Sequence, residues 1–335
     1  MKRFPYSVIA LLILCILLVS CSSTGWVSNP YSKYSSDDYI CAVGRGKTIE
    51  EADLSARQEL AALFGMTVHS TTSLTVIDTS TTKDGNKSES YGEFFTSNSS
   101  VVVNADNLYG VEIAKRTIEE DGTHISLAIM PKKTTSEYYL SRIESDKKTI
   151  ESLKQTVVGL LGTFKGVEMA AELVRSCNDY NTSVVMCNFL SGNSIEFMSI
   201  SEVKELYRKA CSSIVLEVEI SGDDSGAIKS SISKVFTDAG FAVSNGSLAP
   251  TAKAIATIVW RETAGTGAAS DFVFANYNAD VSVVDLAGNT TVFVFSASDK
   301  EGHQDYESAK ARAISGLSKT LEDEFRKELN SKYTY

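Results

Sequence analysis

The last helix of the chain carries the pattern that most restricts the fold. Its apolar residues recur at steps of four: Ala309, Ala313, Leu317, Leu321, Phe325 and Leu329. A helix with one apolar stripe has to bury that stripe, and the two alanines allow close approach to a flat surface such as a β-sheet. The segments before this helix alternate as strands do. The pattern therefore predicts an α+β fold.

The region 212–332 shows the complete order of such a domain. Ile214–Ile220 alternates as a strand, and an amphipathic helix follows, with Ile228, Ile232, Val235 and Phe236 on its apolar side. Four further strands are expected at Phe241–Val243, Ala254–Glu262, Phe272–Asp285 and Thr291–Ser298. Asp285-Leu286-Ala287-Gly288-Asn289 supplies the turn of the last hairpin. We expect a β-α-β-β-β-β-α order folded as a two-layer sandwich.

The region 38–131 predicts a second α+β domain. A strand from Tyr39 precedes a helix that begins at Thr48, whose apolar positions are Ala52, Ala56, Leu60 and Phe64. Thr48 and Glu51 have the spacing of a capping box. Ser/Thr/Val-rich alternation then predicts long strands, with a hairpin turn at Asp84-Gly85. A last hairpin joins Tyr109–Ile118 to His124–Met130 through Glu120-Asp121-Gly122.

Gly44-Arg45-Gly46-Lys47-Thr48 resembles the end of a phosphate-binding loop. That loop needs a glycine five residues before Gly46, and this chain has Cys41 there. The loop between strand and helix is also too short to surround a phosphate. We therefore expect the two glycines to make a turn and Thr48 to cap the helix, with no cofactor bound.

Two connecting regions complete the organisation. Residues 21–37, rich in Ser, Asn, Tyr and Gly, are expected to be a tether. Residues 132–211 show several short helical patterns separated by Asn-rich stretches, and these predict a helical linker region. The expected architecture is two two-layer α/β sandwich domains joined by this helical segment.

Residues 1–20 have the features of a secretory signal. Lys2 and Arg3 precede an apolar run, Val8–Val19, that is too short for a lasting membrane span. Leu18-Val19-Ser20-Cys21 resembles the lipobox of bacterial lipoproteins, which implies cleavage before Cys21 and acylation of that residue. An uncleaved signal anchor is the alternative. Ser22 follows the cysteine, and by resemblance to the Gram-negative sorting rule this implies the outer membrane.

The net charge limits the classes of partner, and the cysteine spacing limits the kinds of metal site and disulfide. Loss of Lys2 and Arg3 takes the net charge from −10 to −12, which argues against nucleic acid as a partner and against adhesion to anionic lipid by overall charge. Four other cysteines remain in the mature chain: Cys41, Cys177, Cys187 and Cys211. Their spacing matches no zinc pattern. Buried free thiols or a disulfide such as Cys177–Cys187 are both compatible with an oxidising envelope.

Tyr39–Met130 resembles a known family. Ala42-Val43-Gly44-Arg45-Gly46, Glu51-Ala52-Asp53-Leu54-Ser55-Ala56 and Val68-His69-Ser70 are similar to the Lpp-twenty lipoproteins and to the N-terminal domain of flagellar assembly protein T. The C-terminal region is similar only in layout to envelope assembly lipoproteins such as curli secretion factor G and penicillin-binding-protein activators. The resemblance implies an envelope lipoprotein and carries no catalytic residues.

The search for catalytic residues finds none to nominate. The three histidines, His69, His124 and His303, are far apart in sequence, and neither H-E-x-x-H nor G-x-S-x-G occurs. Asp223-Asp224-Ser225-Gly226 resembles the start of a calcium loop, but the twelfth position is Lys234, where a glutamate is needed. We expect no catalytic residues, no cofactor and no metal, and an acidic helix start at Asp223.

The first hypothesis is therefore a non-catalytic lipoprotein of the bacterial cell envelope, held on the outer membrane by its lipid. It would bind a protein or peptidoglycan partner in envelope or appendage assembly, with the strands between Thr67 and Val103 as contact surface. Two alternatives stay open. One is an envelope enzyme that cleaves glycan with convergent carboxylates, and the other is a surface-exposed antigen or adhesin.

Overall fold

The computed structural model describes residues 25–63 and 108–335. They fall into two compact units. Unit 1 comprises the described parts of 1–144 and 181–197, and unit 2 comprises 145–180 and 198–335. The mixed helix and sheet confirm the predicted α+β class. The region 132–211, expected as one linker, is divided between the two units.

Unit 1 is built on a three-stranded antiparallel sheet of order β1-β3-β2. Its strands are β1 (Tyr39–Gly46), β2 (Glu112–Ile118) and β3 (His124–Pro131), preceded by the short helix α1 (Gly25–Ser28) and a 3₁₀ turn at Pro30–Ser32. Helix α2 occupies 49–63. The β2–β3 hairpin matches its sequence-based prediction. The Thr67–Val103 strands and the Asp84-Gly85 turn lie outside the described residues.

Three helices occupy most of the region predicted to be helical. They are α3 (Lys132–Gly159), α4 (Phe164–Ser191) and α5 (Ile200–Ser212). The expectation of several short helices is wrong for α4. There the two patterns around Val167–Cys177 and Ser183–Leu190 form one helix of 28 residues. The Asn-rich stretch between the two patterns, with Asn178 and Asn181, lies within that helix, and Asn181 is buried. Local asparagine preference is weak and tertiary burial overrides it.

Unit 2 contains the five-stranded sheet, in the order β5-β4-β6-β7-β8. The strands are β4 (Val215–Ser221), β5 (Ala242–Val243), β6 (Ala252–Ala264), β7 (Val273–Asp285) and β8 (Thr290–His303). Helix α6 (Ala227–Asp238) follows β4. After β8 come α7 (Tyr306–Thr320), a π turn (Leu321–Phe325) and α8 (Arg326–Tyr333). The predicted β-α-β-β-β-β-α order is confirmed.

The periodic stripe of the last helix is buried throughout. Each of its six apolar residues is at most 1% exposed. The sheet offers alternate residues of β6, β7 and β8 to the helical layer, including Ala254, Ala256, Ala275, Ala279 and Phe295. Period four in the helix and period two in the strands therefore meet in one core, as the sequence predicts.

Candidate functional site

The two glycines of β1 show that Gly44–Thr48 does not form a phosphate-binding loop. Gly44 and Gly46 lie inside β1, and a β-carbon on Gly44 would be 1.9 Å from the backbone nitrogen of Ala56. A β-carbon on Gly46 would be 2.5 Å from the backbone nitrogen of Ala52. The expectation that these glycines make a turn is wrong. Their missing side chains let α2 lie directly on the strand.

The start of α2 satisfies its own backbone donors. The backbone N–H of Glu51 donates to the Thr48 hydroxyl at 3.2 Å. The Glu51 carboxylate in turn accepts from the backbone N–H of Lys47 at 2.7 Å. This reciprocal arrangement is the predicted capping box, moved by one residue on the carboxylate side. A carboxylate therefore occupies the place where an anionic ligand would bind.

Asp53 fixes α2 to the sheet from its buried side. The Arg116 guanidinium donates two hydrogen bonds to its carboxylate, at 2.9 and 2.7 Å, and the Ser126 hydroxyl donates a third at 2.6 Å. The hydrogen bonds from Arg116 hold the pKa of Asp53 below its usual value. A carboxylate with its acceptor sites filled in this way ties elements together and is poorly placed to exchange a proton with a substrate.

The segment 25–34 covers the face of the sheet opposite α2. Trp26 is 3% exposed and forms a core cluster with Cys41, Ile125, Leu127 and Ile129. Tyr34 and Tyr39 pack against the same cluster. The expectation of a tether over 21–37 therefore does not hold for this part, because large aromatic rings gain more from burial than a Ser- and Asn-rich composition suggests. We call this covered side the back face of unit 1.

Two lysines meet on the back face. Lys115 pairs with Leu127 in the sheet register and so shares the side of the sheet that holds the Trp26 cluster. Its pKa is lowered by burial and by the nearby Lys33 ammonium. Tyr31 is 40% exposed, and its hydroxyl accepts a hydrogen bond from the backbone N–H of Cys41. Sequence analysis missed this grouping, because only the fold brings Lys33 and Lys115 together.

Unit 2 has a cavity of about 420 Å³ beside the start of α4. Asp285 lies in its wall and is buried. Its carboxylate accepts from the backbone N–H of Phe164 at 3.1 Å and of Ala287 at 2.9 Å. Asp285 thus caps α4 and fixes the β7–β8 turn. Lys165 pairs with Glu168 at 3.0 Å. The charged groups at this cavity already have partners within the fold.

The other candidate residues stay separate. His303 lies 3.1 Å from Asp305, which caps α7 through the backbone N–H of Ser308. Asp223 accepts from the backbone N–H of Lys229 at 2.9 Å, so its carboxylate lies near the start of α6, although the helix begins at Ala227 and not at Asp223. His124 lies at the start of β3, opposite Gly46. Within 25–63 and 108–335 no cluster of three or more potential metal ligands occurs. His69 and Cys21 lie outside the described residues.

The four described cysteines are free and buried. The sequence left two alternatives open, free thiols or a disulfide such as Cys177–Cys187, and in the structure the thiols are free. Burial raises the pKa of Cys41 to about 11 and of Cys177 to about 11. Burial likewise raises the pKa of Cys187 and Cys211. A buried protonated thiol is a poor nucleophile and a poor metal ligand, so these residues act as small apolar side chains.

One face of the five-stranded sheet is exposed within the part of the chain that the structure describes. Along β6 the alternate residues are exposed, and the aliphatic side chains Ile255, Val259 and Val294 are 39%, 58% and 65% exposed. Ile255 and Val294 lie on either side of Ser282 in register. Around them are polar pairs such as Ser296 with Asp280, at 2.6 Å. We call this surface the open face of unit 2.

Two carboxylates on β4 flank one lysine at the edge of the open face. Lys253 pairs with Glu217 at 3.1 Å and also with Glu219. These carboxylates raise the pKa of Lys253. A glycosidase pair needs one carboxyl group that keeps its proton, which an ammonium between two carboxylates opposes. This arrangement gives the glycan-cleavage alternative no support.

No family model and no curated protein matches the chain. Several solved structures are similar to it. A secreted protein of Helicobacter pylori is 10% identical, with 84% of this chain and 97% of that chain covered and a TM-score of 0.44. A minor lipoprotein of Acinetobacter baumannii is 13% identical over 36% of this chain and 89% of its own, with a TM-score of 0.24.

A third similar structure is the lipoprotein GNA1162 of Neisseria meningitidis. It is 13% identical over 35% of this chain and 99% of its own, with a TM-score of 0.25. These scores are too low for an argument about function. The resemblance to the Lpp-twenty family stays a prediction, since no family model supports it. No helix within the described residues is both long and apolar enough to cross a bilayer.

Proposed function

We propose that the chain is a lipid-anchored, non-catalytic lipoprotein of the bacterial cell envelope that binds a partner during envelope or appendage assembly. The observation that carries the anchor is Leu18-Val19-Ser20-Cys21, placed directly after a short apolar run and before a polar stretch. Several acyl chains on Cys21 would hold the protein stably, because each buried methylene contributes about 0.8 kcal/mol. We place it on the outer membrane because Ser22 follows the cysteine.

The open face of unit 2 supports a binding role. Exposed aliphatic side chains on a sheet, next to polar pairs such as Ser296 with Asp280, suit a protein surface, because apolar contacts with a polar rim are the usual composition of an interface. The carboxylates of Glu51, Asp53, Asp285 and Asp305 are bonded to helix starts or to side chains within the fold, and this supports a non-catalytic role. The Thr67–Val103 contact surface stays a prediction, and deletion of that segment followed by partner capture tests it.

The anchor is tested by mass spectrometry of the mature protein from membranes. We expect an amino terminus at Cys21 with covalent acyl groups, and release of Cys21→Ala from the membrane fraction. A mature protein without acyl groups would overturn the anchor. Recovery in the inner-membrane fraction would overturn the placement on the outer membrane.

The binding role is tested by photo-cross-linking in cells. A photoreactive residue at Val259 or Val294 should capture one discrete protein. The same residue at Thr237, which is exposed on α6 in the same unit, should not. Equal capture at all three positions would contradict binding by the open face. Retention on purified peptidoglycan without a captured protein would favour the sacculus as partner instead.

A further inference from the structure

The first folded residues lie close to the proposed lipid attachment. Trp26 is in the core of unit 1, so only residues 22–25 separate Cys21 from a buried side chain. An extended chain covers at most about 3.6 Å per residue, so the α-carbons of Cys21 and Gly25 are at most about 14 Å apart. An acylated Cys21 would lie at the boundary of lipid head groups and acyl chains. Unit 1 then has no long tether with which to leave the membrane surface.

The surface at this end of the chain has the side chains that interact with lipid head groups. Lys33 is exposed at the end of the 3₁₀ turn in the segment that covers the back face, and Lys115 lies on the same face of the sheet by its register with Leu127. Tyr31 is exposed in the same segment, two residues before Lys33, and tyrosine is enriched at membrane interfaces because its ring is apolar and its hydroxyl is polar. Asp37, Asp38 and Glu112 are the nearby acids in the sequence. In the described part of the chain none forms an ion pair with either lysine.

The local positive charge of Lys33 and Lys115 differs in sign from the net charge of the whole chain. The mature sequence is strongly acidic, so overall charge would repel an anionic leaflet. A local basic pair can still bind, because attraction to anionic lipid acts within a Debye length of the surface and about 1 kcal/mol accrues per lysine there. The short linker raises the effective concentration of this pair at the membrane.

We propose that the back face of unit 1 lies against the membrane, with Lys33 and Lys115 on the phosphates of anionic lipids and Tyr31 at the interface. Helix α2, on the other side of the sheet, then faces away from the bilayer. The inference rests on the proposed acylation of Cys21. It adds an orientation and a lipid preference that an anchor alone does not require.

The test uses the full acylated chain reconstituted into vesicles. A fluorophore is attached at Ser32→Cys on the back face or at Gln58→Cys on the exposed side of α2, since the native thiols are buried. The vesicles contain phosphatidylethanolamine with phosphatidylglycerol, or phosphatidylcholine alone, and a lipid with a nitroxide on its head group as quencher. We expect strong quenching at Ser32→Cys, weak quenching at Gln58→Cys, and less quenching at Ser32→Cys without phosphatidylglycerol.

Charge variants separate the lysine pair from general attraction. Lys33→Gln/Lys115→Gln should lower the ratio of docked to undocked molecules about thirtyfold, the factor expected for two lysines near an anionic surface. Lys147→Gln/Lys148→Gln makes the same charge change on α3 and should leave the quenching unchanged. If Lys115→Gln does not fold, Lys33→Gln alone, in an exposed turn, should lower the ratio about fivefold.

The linker is the second variable. An insertion of about twelve Gly/Ser residues between Ser23 and Thr24 adds up to about 40 Å of reach and should weaken the quenching at Ser32→Cys. Equal quenching at Ser32→Cys and Gln58→Cys, or quenching that the lysine variants leave unchanged, overturns the orientation while the anchor stands. An absence of acyl groups in the mass spectrum overturns the anchor itself, so the two failures are distinguishable.

Discussion

The two units place a similar helix on a sheet in different ways. In unit 1 the sequence E-A-x-x-x-A lies over Gly44 and Gly46, and the space for the helix comes from side chains that are missing. In unit 2 the helix begins with the same alanine spacing, at Ala309 and Ala313, but continues to Phe325, whose ring contacts Phe236, Phe293 and Phe295. The contact in unit 1 depends on glycines without side chains, and the contact in unit 2 depends on a large aromatic ring. Adding a side chain should therefore disrupt the first contact, and removing one should disrupt the second.

The largest effect is expected from the ring at the centre of unit 2. Phe325→Ala removes the side chain that joins the last helix to α6 and β8, leaves a cavity and should cost about 4 kcal/mol. The chain has two tryptophans, Trp26 in unit 1 and Trp260 in unit 2, so urea unfolding followed in Trp26→Phe and Trp260→Phe backgrounds reports each unit. The urea midpoint reported by Trp260 should fall, and the midpoint reported by Trp26 should change less.

The control for this change is Phe272→Ala. Phe272 is 43% exposed, so the same truncation should alter the free energy of unfolding little. A Phe325→Ala protein as stable as Phe272→Ala would mean that the aromatic cluster does not hold unit 2 together.

A single methyl group should damage unit 1 nearly as much. Gly44→Ala places a β-carbon 1.9 Å from the backbone of Ala56, where no side-chain rotation can relieve the overlap. We expect a loss of about 3 kcal/mol, seen in the Trp26 signal. Gly25→Ala meets nothing within 4 Å and serves as the control in the same unit. Equal urea midpoints for the two variants would show that α2 can move away from the strand without cost.

Alkaline pH should weaken both units and unit 2 more. The folded chain keeps the thiol protons of Cys41 and Cys177 up to about pH 11, whereas an unfolded thiol loses its proton near pH 9. The unfolded state therefore binds fewer protons above pH 9, and the free energy of unfolding falls by up to about 2 kcal/mol per thiol by pH 11.

Both units have further groups of the same sign, and unit 2 has more of them. Burial raises the pKa of Cys187 and Tyr139 in unit 1, and in unit 2 that of Cys211, Tyr207, Tyr277 and Tyr333. Urea midpoints measured at pH 8, 9, 10 and 11 should fall more steeply for the Trp260 signal than for the Trp26 signal, and Cys177→Ala should reduce the slope. A midpoint that rises with pH would contradict the sign of these shifts.

The smallest expected change in stability is a gain and not a loss. Gly316 lies within α7 and a β-carbon there would meet nothing within 4 Å, so Gly316→Ala should stabilise unit 2 by about 0.5–1 kcal/mol. The measurement is the urea midpoint of the Trp260 signal. A loss of stability would mean that α7 approaches a neighbour as closely as α2 does, and the contrast between the units would disappear.

The elements with strong periodicity were predictable, and those set by distant contacts were not. The stripe from Ala309 to Leu329 and the β-α-β-β-β-β-α order of elements along unit 2 follow from local alternation that the structure confirms. The polar neighbours of Trp26 predict a tether, but burial of one aromatic ring outweighs several serines once a sheet face is available. The local preference of asparagine predicts a break near Asn178, but α4 continues through it because tertiary packing overrides that preference.

The sequence by itself determined the α+β class and the capping box at Thr48 and Glu51, and it predicts the lipobox at Cys21, because each depends on residues close together along the chain. Only the tertiary structure decided the rest. It showed that Gly44 and Gly46 serve the approach of a helix, that Lys33 and Lys115 lie on one face of unit 1, and that alternate side chains of β6 are exposed on one face of the second sheet among the described residues. Such features depend on which distant segments meet, and the spacing of neighbouring residues does not encode that directly.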